Sequence, residues 1–149
     1  MELTDRKIKL QVWEVRVGRI PLYLLDSNVD VNLPNDRLLT ARLYWSDLDR
    51  RVMQEILLGI GGVRALRALG YHPRAWHLNE GHSAFSVLER ARELVQQGMT
   101  FDQARERIRA TTIFTTHTPV PAGHDVFPHH LMDRYFAGYW EQLGLSRDE

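Results

Sequence analysis

The 149-residue sequence predicts an α/β protein with a parallel sheet, flanking helices and an N-terminal β-hairpin. Strand-like and helix-like segments alternate through the second half of the chain, which is typical of parallel sheets. Two short strand-like runs, residues 75–78 and 111–115, are each followed by a polar, histidine-containing loop. Near the start, an alternating apolar pattern surrounds a glycine turn and favours antiparallel pairing.

The predicted hairpin joins residues 9–17 to residues 20–25 through Gly18. Apolar and polar residues alternate along the first of these segments, so we expect a half-buried strand. Pro21 lies near the start of the second strand, where its missing N–H donor is least harmful. Residues 26–36 are rich in Asp and Asn and are predicted to form a loop.

Residues 47–69 have the spacing of an amphipathic helix that begins at Ser46 or Asp47 as the cap. A glycine cluster at 59–62 interrupts this pattern, and each helical Gly costs about 1 kcal/mol relative to Ala. We therefore expect a kink there, or a close approach by another segment. The predicted buried stripe consists of Val52, Ile56, Leu57, Ile60 and Val63.

The rest of the chain contains three further helical patterns. His82 or Ser83 is a candidate cap for the first, and Thr100 is a good cap for the second. The predicted helices comprise residues 82–97, 101–110 and 129–143.

Composition excludes several classes of function. The formal net charge is +0 and the pI is near 7.1, so no electrostatic footprint for nucleic acid or an anionic membrane is present. The absence of cysteine excludes disulfides and thiolate chemistry. The charged start lacks a signal-peptide pattern, and no apolar run approaches the length of a membrane span. We therefore expect a cytoplasmic protein.

Polar loops follow both predicted parallel strands, and the carboxyl ends of such strands line the ligand crevice of an open α/β sheet. We expect the two loops to converge on one site. Their side chains suit recognition of sugar hydroxyls or acid–base chemistry, but they also suit helix capping and loop bracing. The residues concerned include Asn79, Glu80, His82, His117 and Asp125.

A metal site is an alternative, because imidazole and carboxylate ligands suit zinc or iron. The candidate ligands are His77, Glu80, His82, His117, His124 and Asp125. However, His77 and His82 are separated by four residues that include Gly81, whereas the inverted zinc-protease motif lies on a continuous helix. We therefore predict no metal ligands.

Five segments of the sequence resemble the α-glucan (glycogen, starch or maltodextrin) phosphorylase family, especially its short bacterial type. One departure is Trp45-Ser46, where the short type carries two glycines. The matching segments are PLYLLD (21–26), LLTARLY (38–44), QEILLGIGGVRAL (54–66), HLNEGHSAF (77–85) and FTTHTPVPAGHD (114–125).

The resemblance implies a Rossmann-like domain of a glycosyltransferase-B type enzyme, of which residues 1–149 are part of the N-terminal glucosyl-site domain. Family members use inorganic phosphate to cleave a terminal α-1,4-linked glucose from glucan, giving glucose 1-phosphate. Their pyridoxal phosphate is bound to a lysine in a C-terminal domain. Neither Lys7 nor Lys9 has a comparable setting, so we expect that domain to be absent, and the chain to bind no cofactor and to be inactive alone.

By the same resemblance, the chain carries residues that shape the donor-sugar subsite, and none that acts as the chemical catalyst. The main chain of His117 faces the glucosyl residue, and Glu80 matches an acidic position beside the sugar pocket. His82 matches the family histidine beside that position, Asn79 belongs to the same turn, and Asp125 matches an acidic loop position.

Two other expectations accompany this interpretation. A domain without its remaining sheet and helices exposes apolar surface, which favours self-association. The alternative function, from another class, is a non-catalytic carbohydrate-binding or interaction module.

Overall fold

The computed structural model describes residues 6–43, 45–117 and 125–149. The strands in these ranges are β1 (Gln11–Val17), β2 (Ile20–Asp26), β3 (Trp76–Asn79) and β4 (Thr112–Thr115). The α-helices are α1 (Pro34–Arg37), α2 (Leu48–Ile56), α3 (Gly62–Ala68), α4 (Ser86–Gln96), α5 (Phe101–Ala110), α6 (His129–Phe136) and α7 (Tyr139–Gln142).

The predicted hairpin is confirmed: β1 and β2 pair antiparallel, with Val17 opposite Ile20. Gly18 has φ 61°, a conformation that glycine adopts without steric cost. The expectation of a half-buried strand is wrong, because one face of the ribbon is exposed although it is apolar. That face consists of the cross-strand pairs Trp13–Leu24, Val15–Leu22 and Val17–Ile20.

The predicted long helix is also confirmed, with an irregular centre. Asp47 caps α2 by accepting a hydrogen bond from the Asp49 N–H. The glycine cluster falls in a π-helical segment, Leu57–Gly61, between α2 and α3. A Cβ on Gly59 would lie 2.8 Å from the Ser86 backbone nitrogen, so glycine permits α4 to approach this closely.

The small parallel sheet pairs β3 with β4, and α4 and α5 form the connection between them. The structure thus shows an α/β fold with an antiparallel hairpin and a separate parallel sheet. The Rossmann-like part of the expectation stays a prediction.

Capping was predicted correctly for α5 but not for α4. Thr100 and Gln103 form a reciprocal capping box at the start of α5. Neither His82 nor Ser83 caps α4, because both belong to a preceding 3₁₀ turn and α4 begins after Phe85 without a side-chain cap.

Two further boundaries differ from the sequence pattern. The predicted helix 129–143 is divided into α6 and α7 at Gly138, which has φ 74°. Its apolar periodicity continues across this break, which explains why the pattern alone indicated one helix. The predicted loop 26–36 contains the start of α1, where Pro34 occupies the first turn.

The core has two parts. The larger packs α2 and the π-helical segment against α6, and the smaller packs α4 against α5 and the C-terminal residues. All five residues of the predicted stripe are almost completely buried. No helix in the described part of the chain is long and apolar enough to cross a membrane.

Candidate functional site

The two polar loops begin at the same edge of the parallel sheet. Asn79 and Thr115 are paired at the ends of β3 and β4, and the Glu80 N–H donates a hydrogen bond of 2.8 Å to the Thr115 carbonyl. The parallel register therefore brings the starts of both loops together, as the sequence predicts, and residues 118–124 of the second loop lie outside the described residues.

Glu80 ties these loops to each other through its carboxylate. One oxygen accepts a hydrogen bond of 2.5 Å from the His117 N–H, and the other accepts one of 3.2 Å from the Thr116 hydroxyl. Glu80 also has φ 60° and ψ −176°, which is unusual for a residue other than glycine. Strained backbone of this kind clusters at functional sites, where surrounding contacts hold it in place.

A buried cluster of charged groups lies beside the loops. Arg51 and Glu55 share one face of α2 at i,i+4 spacing and are 5% and 4% exposed. The Arg51 Nη2 atom lies 3.0 Å from Glu55 Oε1, 2.5 Å from Asp125 Oδ2 and 3.3 Å from His82 Nδ1. Arg51 thus connects a helix of the core to both loops.

The two carboxyl groups of this cluster have opposite pKa shifts. Burial, together with a hydrogen bond to Asp125 and its negative charge, raises the pKa of Glu55 to about 8. Burial also opposes ionisation of Asp125, but hydrogen bonds from Arg51 and Glu55 outweigh it and lower the pKa of Asp125. At neutral pH Glu55 is therefore mostly protonated and donates to an ionised Asp125.

The cluster does not suit a metal ion. Ligand atoms of Glu55, His82 and Asp125 lie within 4.8 Å of one another, which is compatible with a metal site by distance. However, the same Arg51 nitrogen contacts all three groups, so a guanidinium occupies the position that a cation would need. Two cations in one partly buried site would repel each other strongly.

Comparison with known proteins identifies the chain's relatives. It is 49% identical over 147 residues to maltodextrin phosphorylase of Thermococcus litoralis, an alignment that covers 99% of the chain. The chain is a relative of the α-glucan phosphorylases. Glycogen phosphorylases of Mycobacterium tuberculosis and Aquifex aeolicus are 48% and 41% identical over 86% and 95% of the chain. No family model and no solved structure matches the chain.

The alignments cover only part of these phosphorylases. The chain spans 17% of the length of the Thermococcus protein, 16% of the Mycobacterium protein and 20% of the Aquifex protein. It therefore matches one segment of a much longer phosphorylase.

Each site residue taken from the phosphorylase resemblance lies at the loop edge of the sheet or directly beside it. Asn79 ends β3, and Glu80 and His117 belong to the two loops that the Glu80 carboxylate joins, whereas His82 and Asp125 contact Arg51. Of the other metal candidates, His77 hydrogen-bonds to Thr115 Oγ1 at 2.7 Å on the face of the sheet. His124 lies outside the described residues.

Sequence reasoning missed Arg51 and Glu55. Both flank the buried stripe of α2 at i,i+4 spacing, so they could be recognised as a helical ion pair. Their contact with Asp125, 74 residues away, could not be recognised.

An open cleft extends from the cluster between the hairpin and α2. Its volume is about 450 Å³, within the range of small-molecule sites. Leucines from β2, from the residues between α1 and α2 and from the π-helical segment form most of its apolar wall, and Arg51, Glu55 and His82 lie at its polar end. This combination of apolar walls and a few polar groups suits an oriented organic ligand.

Proposed function

We propose that this chain forms one wall of the glucosyl subsite of an α-1,4-glucan phosphorylase. The complete enzyme would use inorganic phosphate to release the terminal α-1,4-linked glucose of a glucan as glucose 1-phosphate. Residues 1–149 would be part of its N-terminal domain, in a Rossmann-like, glycosyltransferase-B arrangement.

The observation that carries this proposal is the 49% identity to a maltodextrin phosphorylase over 99% of the chain. The site geometry supports it independently of the alignment. Two loops joined through Glu80 place amide, imidazole and carboxylate groups around one edge of the sheet, and such groups hydrogen-bond sugar hydroxyls.

In this proposal, Asn79, His82 and His117 orient the glucosyl unit, while Glu80 and Asp125 have a second task. Both carboxylates already accept hydrogen bonds that hold the loops in place. A carboxylate can accept further hydrogen bonds, so each can hold its loop and contact a hydroxyl at the same time. None of the five residues is assigned as the chemical catalyst.

The residues of this chain do not fit pyridoxal phosphate, the cofactor that the family resemblance implies. Its covalent attachment needs a lysine, and the only two lysines are Lys7 and Lys9. Both are exposed and precede β1. We therefore propose that the cofactor is held by a part of the complete enzyme outside this chain, and that the chain alone has no activity.

A chimeric enzyme tests the proposed function. The chain would replace the matching segment of the Thermococcus litoralis maltodextrin phosphorylase, and phosphorolysis of maltodextrin would be measured. We expect an active chimera. In it, Glu80→Ala and His82→Ala should lower kcat/KM by roughly twofold to a hundredfold, since a lost hydrogen bond costs about 0.5–3 kcal/mol depending on charge.

His117→Ala should have a smaller effect, because its described hydrogen bond comes from the main chain. The exposed His72, on the loop before β3, provides a matched control as His72→Ala. If Glu80→Ala and His82→Ala both retain the efficiency of the His72→Ala control, the loops are structural and the site assignment is wrong. An inactive but folded chimera would contradict the phosphorylase assignment itself.

A further inference from the structure

A second cleft lies at the opposite edge of the parallel sheet, where β3 and β4 begin. Its volume is about 520 Å³, which is in the range of small-molecule sites. The charged lining consists of four arginines and one glutamate, although the chain as a whole has a formal net charge of +0. The residues that matter are Arg67, Arg74, Trp76, Arg90, Glu93 and Arg107.

Arg90 is a buried cation held by neutral groups. Its side chain is bonded to the hydroxyls of Thr112 at 2.7 Å and Thr111 at 2.8 Å, and its guanidinium carbon lies 4.8 Å from the ring centroid of Trp76. The residue is only 6% exposed. Buried charges are usually paired with an opposite charge, and this one has no carboxylate among its described hydrogen-bond partners.

Arg67 and Glu93 neutralise each other on one side of the cleft. Arg67 Nη2 lies 2.8 Å from Glu93 Oε2 and Arg67 Nε lies 3.0 Å from Glu93 Oε1, so the two planar groups are joined side by side. Arg67 also donates to the Tyr71 carbonyl. Glu93 is thus paired with Arg67, and although its charge also acts on Arg90, the described hydrogen bonds of Arg90 include no carboxylate.

The remaining two arginines add to the unbalanced positive charge. Arg74 and Arg107 are exposed, and neither side chain has an ion pair or hydrogen bond within the described ranges. Burial and the nearby positive charge of Arg67 outweigh the negative charge of Glu93 and lower the pKa of Arg90 to about 10, so it remains charged at neutral pH. Among the described residues that line the cleft, four arginines and one glutamate leave three positive charges unbalanced.

We propose that this cleft binds a phosphate-bearing small molecule. Arg74 and Arg107 would grip phosphate oxygens, since a guanidinium offers paired N–H donors that match an oxyanion. Arg90, two of whose donors bind threonine hydroxyls, would contribute its positive charge. Three positive charges match a multiply charged phosphate better than a monocarboxylate. The site is independent of the glucosyl subsite, which lies at the other end of the same strands.

Calorimetric titration of the chain tests this proposal. The probes are inorganic phosphate, pyrophosphate and glycerol 3-phosphate at constant ionic strength, with acetate as the monocarboxylate reference. We expect the phosphates to bind and acetate not to bind. Tighter binding of pyrophosphate would identify an inorganic polyphosphate as the ligand class, and tighter binding of glycerol 3-phosphate would identify an organic monoester.

Arginine substitutions test whether the ligand binds in this cleft. The double variant Arg74→Gln/Arg107→Gln should bind at least tenfold more weakly, and Arg107→Gln alone should lose part of that affinity. Arg109→Gln is the matched control, because Arg109 is an exposed arginine on the same helix that does not line the cleft. It should bind within twofold of the unsubstituted chain. Equal weakening in the control and the double variant would overturn the proposal, since it would indicate non-specific attraction.

Nuclear magnetic resonance provides a second, independent test. The chain has four tryptophans, so four indole N–H signals are expected, and only that of Trp76 should shift on titration with pyrophosphate. Shifts confined to the other three signals, or the absence of binding at millimolar concentrations, would show that the cleft is not a phosphate site.

Discussion

Two charged clusters in this chain each contain a buried glutamate in contact with arginine, and the two glutamates behave in opposite ways. Around Glu55, two carboxyl groups share the guanidinium of Arg51. Around Glu89, one carboxylate accepts hydrogen bonds from Arg64, Arg92 and Tyr139. The pKa of Glu55 is raised to about 8, whereas burial of Glu89 is outweighed by its hydrogen bonds and its pKa is lowered to about 2.

The difference shows that the balance of partners, and not burial alone, decides whether a buried carboxyl group ionises. Both residues are almost completely buried. Glu89 accepts hydrogen bonds from several donors, so it is ionised at neutral pH and connects α3, α4 and α7. Glu55 shares one guanidinium with Asp125, so its negative charge is poorly compensated and the cluster at the candidate site retains a proton that titrates near neutral pH.

The largest effect should follow from removing the charge of Glu89. Glu89→Gln leaves two arginines without their buried anion, and breaking such a pair costs about 3–5 kcal/mol. We expect a loss near the lower limit, because Arg64 and Arg92 are 38% and 17% exposed and retain some water. Urea unfolding followed by circular dichroism measures it.

The control for this variant is Asp133→Asn, which removes another paired arginine contact, that with Arg147, at an exposed position. Exposed pairs contribute little, so its unfolding midpoint should hardly change. Similar losses of unfolding free energy in both variants would show that the buried Glu89 cluster stabilises the chain no more than an exposed ion pair does.

The next largest effect should follow from a substitution at the close contact between the π-helical segment and α4. The segment that follows Arg51 and Glu55 meets the start of α4, which carries Glu89, at Gly59 and Ser86. Gly59→Ala places a methyl group 2.8 Å from the Ser86 nitrogen, and overpacking of this kind costs about 1–3 kcal/mol.

Gly62→Ala is the matched control, because a Cβ there meets no atom within 4 Å and the backbone is already helical. This variant should be more stable than the unsubstituted chain by about 0.4–1 kcal/mol. If both alanines stabilise the chain, α4 does not depend on the close approach at Gly59.

The last effect is the pH dependence that Glu55 contributes. Its pKa is raised from 4.5 to about 8 in the folded chain, so the folded state binds a proton that the unfolded state releases. The stabilisation is fully present below pH 4.5 and is lost as the pH rises towards 8. The slope approaches about 1.4 kcal/mol per pH unit at most.

Glu55→Gln resembles the protonated form and should remove this slope, so the two unfolding free energies should converge at low pH and diverge towards pH 8. Glu89 makes the opposite contribution: its stabilisation is present above pH 4.5 and is lost as the pH falls through about 2. Parallel stability curves for Glu55→Gln and the unsubstituted chain between pH 5 and 8 would contradict the raised pKa.

The regular elements were largely predictable because they depend on local sequence. The apolar spacing of α2 and the Thr100–Gln103 capping box involve residues within a few positions of each other. The meeting of the two loops was predictable from the general geometry of parallel strands. The division between α6 and α7 was not, because the apolar pattern passes through Gly138 without interruption.

The sequence by itself determined the α/β class, the loop residues at the edge of the sheet and the relationship to the phosphorylases. Only the tertiary structure decided that Arg51 and Glu55 join Asp125, and that the described hydrogen bonds of the buried Arg90 go to threonine hydroxyls and not to a carboxylate. The reason is physical: periodicity and capping act over a few residues. The pKa of a carboxyl group and the pairing of a charge depend on neighbours that are distant along the chain.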